Sequence, residues 1–337
     1  MTTKTEPACR SFERLLSEQR TLVADGAMGT TLFEMGLESG GCPELLNVEQ
    51  PDLVRRVHQA FVDAGADIIL TNTFGGNRRR LALHRLEDRV AELNAAAVRV
   101  AASVRDAADH PVLVAGSIGP TGDLFEPLGP LTIELGVEVF AEQAEALAAA
   151  GADVLWIETL SSWDELAAAV EGCSGLGLPV TATLSFDTNG KTMMGLSPRE
   201  FGEWWQTKPD PPLAIGANCG IGPGDAVAAA FDITTVAPDA LVIAKANCGV
   251  PLYKTDAPEY PVGPEGMADY VELAVRSGAR IIGSCCGSTP AHVAAIRAAV
   301  DAGVAGPRPE RAEIEQRLEA APDTPPQARR TRTRRRG

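Results

Sequence analysis

No apolar run in this 337-residue chain reaches the roughly 18 residues a membrane-spanning helix requires. The N-terminal stretch MTTKTEPACRSFERLL lacks the apolar core of a secretory signal. Seven cysteines, an odd number, suit a reducing compartment better than a disulfide framework, so a cytoplasmic setting is expected. Positive charge is scarce: 45 acidic residues face 30 basic ones, a net −15. Six of the basic residues (Arg329, Arg330, Arg332, Arg334, Arg335 and Arg336) crowd the C-terminal end. The rest of the chain is therefore more acidic still, and no nucleic-acid partner is expected for the folded body. Aromatics amount to 5 % and histidines to four. The length allows two domains or one large α/β barrel with decoration, with a core that needs no disulfide staple.

Eight short runs read as buried parallel strands: Thr21–Ala24, Asp67–Leu70, Val112–Ala115, Asp153–Ile157, Pro179–Leu184, Leu213–Gly216, Leu241–Ala244 and Arg280–Ile282. Helical patterns lie between them. In Pro51–Ala64 the residues Leu53, Val54, Val57, Phe61 and Val62 recur at helical spacing, Pro51 suits the first turn and Gly65 the left-handed stop. The same helix-to-strand joint recurs at Gly65-Ala66-Asp67, Gly151-Ala152-Asp153 and Gly278-Ala279-Arg280. A repeated β/α unit with eight strands predicts a (β/α)8 TIM-type barrel over residues 10–305. An open doubly wound sheet is the rival, but the chain lacks a clean Gly-x-Gly-x-x-Gly turn after its first strand. Residues 306–337 read as a short helix, Glu310–Ala320, and a disordered Arg-rich tail.

Barrel chemistry sits where strands exit at their C-terminal ends. Here those exits hold the unusual residues, including Asp25-Gly-Ala-Met-Gly-Thr, Thr71-Asn-Thr-Phe, Glu158-Thr, Ala217-Asn-Cys-Gly220, Ala246-Asn-Cys-Gly249 and Gly283-Ser-Cys-Cys-Gly287. None of the four histidines (His58, His84, His110, His292) lies at an exit, which removes a His-rich metal site. Cys219 at the sixth exit and Cys285 and Cys286 at the eighth are the better ligands. Three thiolates hold Zn²⁺ and leave its fourth position open, the pattern of a catalytic site. Cys248 sits in the same Ala-Asn-Cys-Gly context as Cys219 and stays open as a fourth candidate, while Cys9, Cys42 and Cys173 carry no motif. Zinc held by three thiolates is suited to binding a substrate thiol as thiolate near neutral pH, which points to alkyl transfer to sulfur. His292 reads as part of the cap of a helix opening at Thr289-Pro290.

Taken together, these motifs, with Gly116-Ser-Ile-Gly-Pro-Thr-Gly and Gly283-Ser-Cys-Cys-Gly-Ser-Thr-Pro, resemble the zinc-dependent homocysteine S-methyltransferases over about Thr21 to Ala299. The resemblance implies Cys219, Cys285 and Cys286 as zinc ligands. It also implies that Asp25, Gly26, Thr71, Glu158 and Asn218 surround homocysteine. The residue chemistry agrees, since a carboxylate such as Glu158 suits the substrate ammonium and the Gly-rich N–H groups after Asp25 suit its carboxylate.

The overall pattern, including Lys245-Ala-Asn-Cys-Gly-Val-Pro251, is most similar to bacterial betaine–homocysteine methyltransferases, which makes betaine the expected donor and dimethylglycine the co-product. Yet the positions matching the aromatic cage of animal betaine enzymes hold Cys42, Gly75 and Thr159. Phe74, Trp163 and Tyr253 are the candidates for a substitute cage. The alternatives are a methyl-corrinoid protein acting in trans, or a sulfonium donor such as S-methylmethionine. A silent thiol-binding module is the non-enzymatic reading. A corrinoid protein and a second copy of the chain are the candidate protein partners, with no membrane association.

Overall fold

The computed structural model describes residues 8–18, 21–38, 40–253 and 258–318. Each of the eight expected strands is present: β1 (Leu22–Val23), β2 (Ile68–Leu70), β3 (Leu113–Ile118), β4 (Val154–Leu160), β5 (Val180–Leu184), β6 (Ala214–Cys219), β7 (Leu241–Ala246) and β8 (Ala279–Ser284). All pair in parallel in the order β1-β8-β7-β6-β5-β4-β3-β2. A parallel bridge between Ala24 and Ile68 joins the two ends, so the sheet closes as a (β/α)8 barrel. The sequence placed strand ends too early. β3, β4, β6, β7 and β8 run on through residues read as loop, so Glu158, Asn218 and Cys219 sit on strand ends rather than in free loops.

The three repeated joints behave alike because only glycine accepts their turn cheaply. Gly65, Gly151 and Gly278 take φ of +93°, +97° and +99°. The aspartate that follows the first two acts on the neighbouring strand. Asp67 accepts the Val23 N–H at 2.7 Å and Asp153 the Val114 N–H at 2.8 Å, which pins the register where each strand begins.

Apolar residues fill two spaces. One lies between strands and helices; the other is the barrel lumen, where Leu22, Leu70, Ala115, Trp156, Ile243 and Ile281 pack together. A helix that the sequence reading missed, Ala8–Glu18, adds Phe12 and Leu15 to the lumen cluster and stoppers the end where strands enter. The helix expected after residue 306 forms as Arg311–Leu318, tied on by Arg311 to Asp232 at 2.7 Å and Arg276 to Glu313 at 2.7 Å. The Arg-rich tail, 319–337, lies outside the described residues. No helix among the described residues is long and apolar enough to cross a membrane.

Candidate active site

Side chains along a strand alternate between lumen and helix layer. Above the apolar layer at Trp156, the lumen-facing alternation of β3, β4, β5, β6 and β7 arrives at Ser117, Glu158, Thr183, Asn218 and Lys245. A polar storey thus stands on a dry floor. On β8 the partner of Lys245 is Gly283, where an added Cβ would stand 3.0 Å from the Lys245 Cγ; the missing side chain makes room for the lysine stem.

The cysteines meet at the rim of this storey. Cys219 ends β6 with a φ of +62°, a left-handed conformation uncommon outside glycine. That turn departs from strand alternation and brings its sulfur to the cavity. Cys285 follows β8 directly, its N–H donating to the Ala246 carbonyl at 2.7 Å. Asn247 joins the two cysteine segments: its Oδ1 accepts the Cys286 N–H at 2.9 Å and its Nδ2 donates to the Gly220 carbonyl at 2.7 Å. The three sulfurs lie within 4.8 Å of one another, the one group of this kind among the described residues.

This arrangement fits a metal. Zn–S bonds of about 2.3 Å put the sulfurs of a tetrahedral site about 3.8 Å apart, close to what the backbone already provides. Protonation tells the same story. Hydrogen bonds from Cys285 and Cys286 pull the Cys219 thiol far below its usual range, while Cys219 pushes Cys285 up to about 11 and Cys286 upward as well. Three sulfurs contending for shared protons are what a divalent cation resolves by displacing them. The cluster is thus positioned to coordinate a metal such as zinc. Cys248 is separated from Cys219 despite its identical context: it is fully buried outside the trio, and burial raises its thiol to about 12.

A cavity of about 480 Å³ opens onto the three cysteines, and Asp25, Gly26, Thr71 and Glu158 line it. Burial raises the Glu158 carboxyl to about 7, against the pull of Lys245 and a 2.6 Å hydrogen bond from the Ser117 hydroxyl. Asp25 is also raised by burial; its Oδ2 accepts the Leu70 N–H at 2.8 Å and its Oδ1 lies 3.2 Å from Lys245 Nζ. Gly26 passes so close to its neighbours that an added Cβ would stand 2.5 Å from Ser288 Oγ. That hydroxyl accepts the Ala27 N–H and donates to the Cys285 carbonyl, fastening the Asp25 loop to the cysteine loop. Of the N–H groups expected to face a carboxylate, Ala27's is therefore spent. Met28, Gly29 and Thr30 open the helix Met28–Glu34 on the cavity wall, where first-turn N–H groups have no acceptor within the helix.

Asn218 does not line the cavity. Its Oδ1 accepts the Thr159 N–H at 2.8 Å and the Thr183 hydroxyl at 2.7 Å, and its Nδ2 donates to Thr159 Oγ1 at 2.7 Å. These bonds hold Thr159, a cavity residue, at a φ of +65°. Trp163 also falls away from the cavity, packed against Trp204 with ring centroids 6.0 Å apart, whereas Phe74 lines it. The Tyr253 side chain lies outside the described residues. His292 caps its helix as expected, its ring paired with Thr289. Sequence reasoning passed over Lys245 and Asn247 as individual residues; a lysine ending the run Leu-Val-Ile-Ala was the available signal for the first.

The fold and site define a barrel that gathers three thiols at the open end of its lumen, beside two buried carboxylates. Comparison with known proteins places it further. The family model for homocysteine S-methyltransferase matches residues 22–300, and the chain belongs to that family. Methionine synthases of Mycobacterium leprae and Mycobacterium tuberculosis are each 32 % identical over 301 residues, covering 84 % of this chain. The chain spans about a quarter of the length of those curated relatives, 24 % and 25 % respectively. Among solved structures, the metallated form of the homocysteine methyltransferase MmuM from Escherichia coli superposes with a TM-score of 0.73 at 27 % identity, covering 86 % of this chain and 99 % of that one.

Proposed function

We propose that the protein transfers a methyl group to the sulfur of homocysteine, giving methionine, with zinc held by Cys219, Cys285 and Cys286. The observation that carries this reading is the meeting of three thiols with Asp25 and Glu158 in one cavity, a match for a substrate bearing both a thiol and an ammonium. Zinc bound there would supply deprotonation of the substrate thiol and hold it as a nucleophile near neutral pH. The chain's own groups do the rest. Glu158 and Asp25 pair with the ammonium, and Thr71 and the start of the helix Met28–Glu34 face the carboxylate. Asn218 acts behind the wall by fixing Thr159. In the transfer the thiol proton leaves to solvent, a sulfur–carbon bond forms, and the electron pair of the broken donor–methyl bond stays with the donor.

For the donor, the leading reading is a methyl group carried by a corrinoid protein, supported by the likeness to methionine synthases. A sulfonium donor such as S-methylmethionine is second. Arg80 and Glu44, both lining the cavity, are the charged pair that would complement the carboxylate and ammonium of an amino-acid donor. Betaine ranks below both, because Cys42, Gly75 and Thr159 offer its quaternary ammonium no aromatic face, Trp163 is engaged with Trp204, and Phe74 is the one cage candidate with a described side chain on the cavity wall. The test is methionine formation by the zinc-loaded protein with methylcobalamin plus a corrinoid protein, S-methylmethionine, and betaine in separate reactions. Product with the first is expected; product with betaine alone reverses the donor order. A protein that binds zinc and homocysteine yet forms no methionine with any donor is a silent thiol-binding module.

A further inference from the structure

We propose that Lys245 is a positioning residue that acts on the sulfur centre as its built-in counter-charge, sustaining both metal retention and thiol binding. It lines the same cavity as all three cysteines, is 3 % exposed, and ends a strand that is otherwise apolar. Among the described residues its ion pair is with Asp25 at 3.2 Å, itself 1 % exposed. Stability does not explain such a pair, because burying two charges costs about as much as their attraction returns.

The charges of the site do explain it. Three cysteine thiolates around a divalent cation leave a net charge of about −1, and a fourth sulfur from substrate takes it to about −2. Asp25 and Glu158 add carboxylates in the same water-poor space, where like charges repel strongly. Among the described residues on the cavity wall the cationic side chains are Arg80, half-buried, and Lys245, buried. Burial alone would favour a neutral amine, but Asp25, Cys285 and Glu158 outweigh it and hold Lys245 protonated. Gly283 suits the placement, since a Cβ there would crowd Ala24 at 2.9 Å and the lysine stem at 3.0 Å.

Part of this inference rests on the proposed function: only the homocysteine arm of the test depends on it. The test compares wild type, Lys245→Gln, Lys245→Arg and Asp25→Asn near neutral pH. One readout is zinc affinity by competition with a chromophoric chelator. The other is homocysteine titration of the cobalt-loaded protein, followed by the thiolate-to-cobalt charge-transfer band. Lys245→Gln is expected to weaken zinc binding by about 10- to 100-fold, the range for groups that tune a site without ligating it, and to raise half-saturating homocysteine. Lys245→Arg is expected to restore both to within about threefold of wild type. Asp25→Asn removes a negative charge and leaves the lysine, and is expected to hold zinc at least as tightly as wild type. A loss of zinc affinity in Asp25→Asn as large as in Lys245→Gln would make Lys245 only a partner for Asp25 and overturn the proposal. So would a Lys245→Arg protein as weak as Lys245→Gln, or a Lys245→Gln protein within about twofold of wild type. Should Lys245→Gln fail to fold, Lys245→Arg and Asp25→Asn still decide. If homocysteine never binds while zinc affinity falls as expected, the proposed function is lost and the role of Lys245 toward the metal stands.

Discussion

The side chain of Asn247 spans the two cysteine segments, accepting the Cys286 N–H at 2.9 Å while donating to the carbonyl of Gly220, the residue after Cys219. Ligands from β6 and β8 thus owe their common position to a residue just past β7, the strand between them. Replacing Asn247 by Ala removes both bonds, at about 1–3 kcal/mol of stability. It should also weaken zinc retention by about 10- to 100-fold without removing a ligand. Chelator competition alongside a urea melt separates the two effects.

Cys219 and Cys248 occupy identical sequence contexts but different places. Cys219→Ser should abolish stoichiometric zinc, whereas Cys248→Ser should retain it and lose no more than about 1–2 kcal/mol of folding stability from exchanging a buried thiol for a hydroxyl. Metal analysis of the two purified variants checks this. Equal zinc loss in both would place Cys248 among the ligands.

Burial lifts the Glu158 carboxyl from 4.5 to about 7. Below pH 4.5 it is protonated whether the chain is folded or unfolded. As pH rises the unfolded chain ionises first, so stability falls, and above pH 7 the folded chain carries the full penalty, roughly 3 kcal/mol at 1.36 kcal/mol per unit. Metal-free Glu158→Gln should therefore be more stable than wild type above pH 7, with the gap closing toward pH 4.5. Denaturant melts across that range measure it. The same substitution should cost homocysteine binding about 1.5–3 kcal/mol, the worth of a hydrogen bond to a charged group.

Asn218 holds Thr159 in a left-handed conformation that a β-branched residue adopts only under constraint. Asn218→Ala leaves the Thr159 N–H and the Thr183 hydroxyl short of a partner, at about 1–3 kcal/mol each. Zinc content should be unchanged and homocysteine affinity reduced, a split visible by metal analysis and calorimetric titration. A variant that loses zinc and thiol together would contradict this division of labour.

The barrel was legible because buried parallel strands announce themselves as short apolar runs, and because three Gly-Ala joints repeat one turn. The cysteines were legible as residue types gathered at strand exits. What separates Cys219 from Cys248 was not, since it lies in a backbone angle of +62° and in packing that equal neighbours in sequence do not encode. Asn218 and Asn247 show the same limit. Both follow alanine in an Ala-Asn-Cys-Gly segment, yet one fastens Thr159 and the other bridges the cysteine segments. Trp163, one of the cage candidates, takes the commoner fate of a ring near a strand end and packs onto Trp204.

Phe12 and Leu15 have a kinetic corollary. By corking the end where strands enter, they leave the three sulfurs, among the described residues, to be approached from the opposite mouth. Under the proposed function acceptor and donor would share that approach, and an obligatory order of binding is the kinetic pattern to expect.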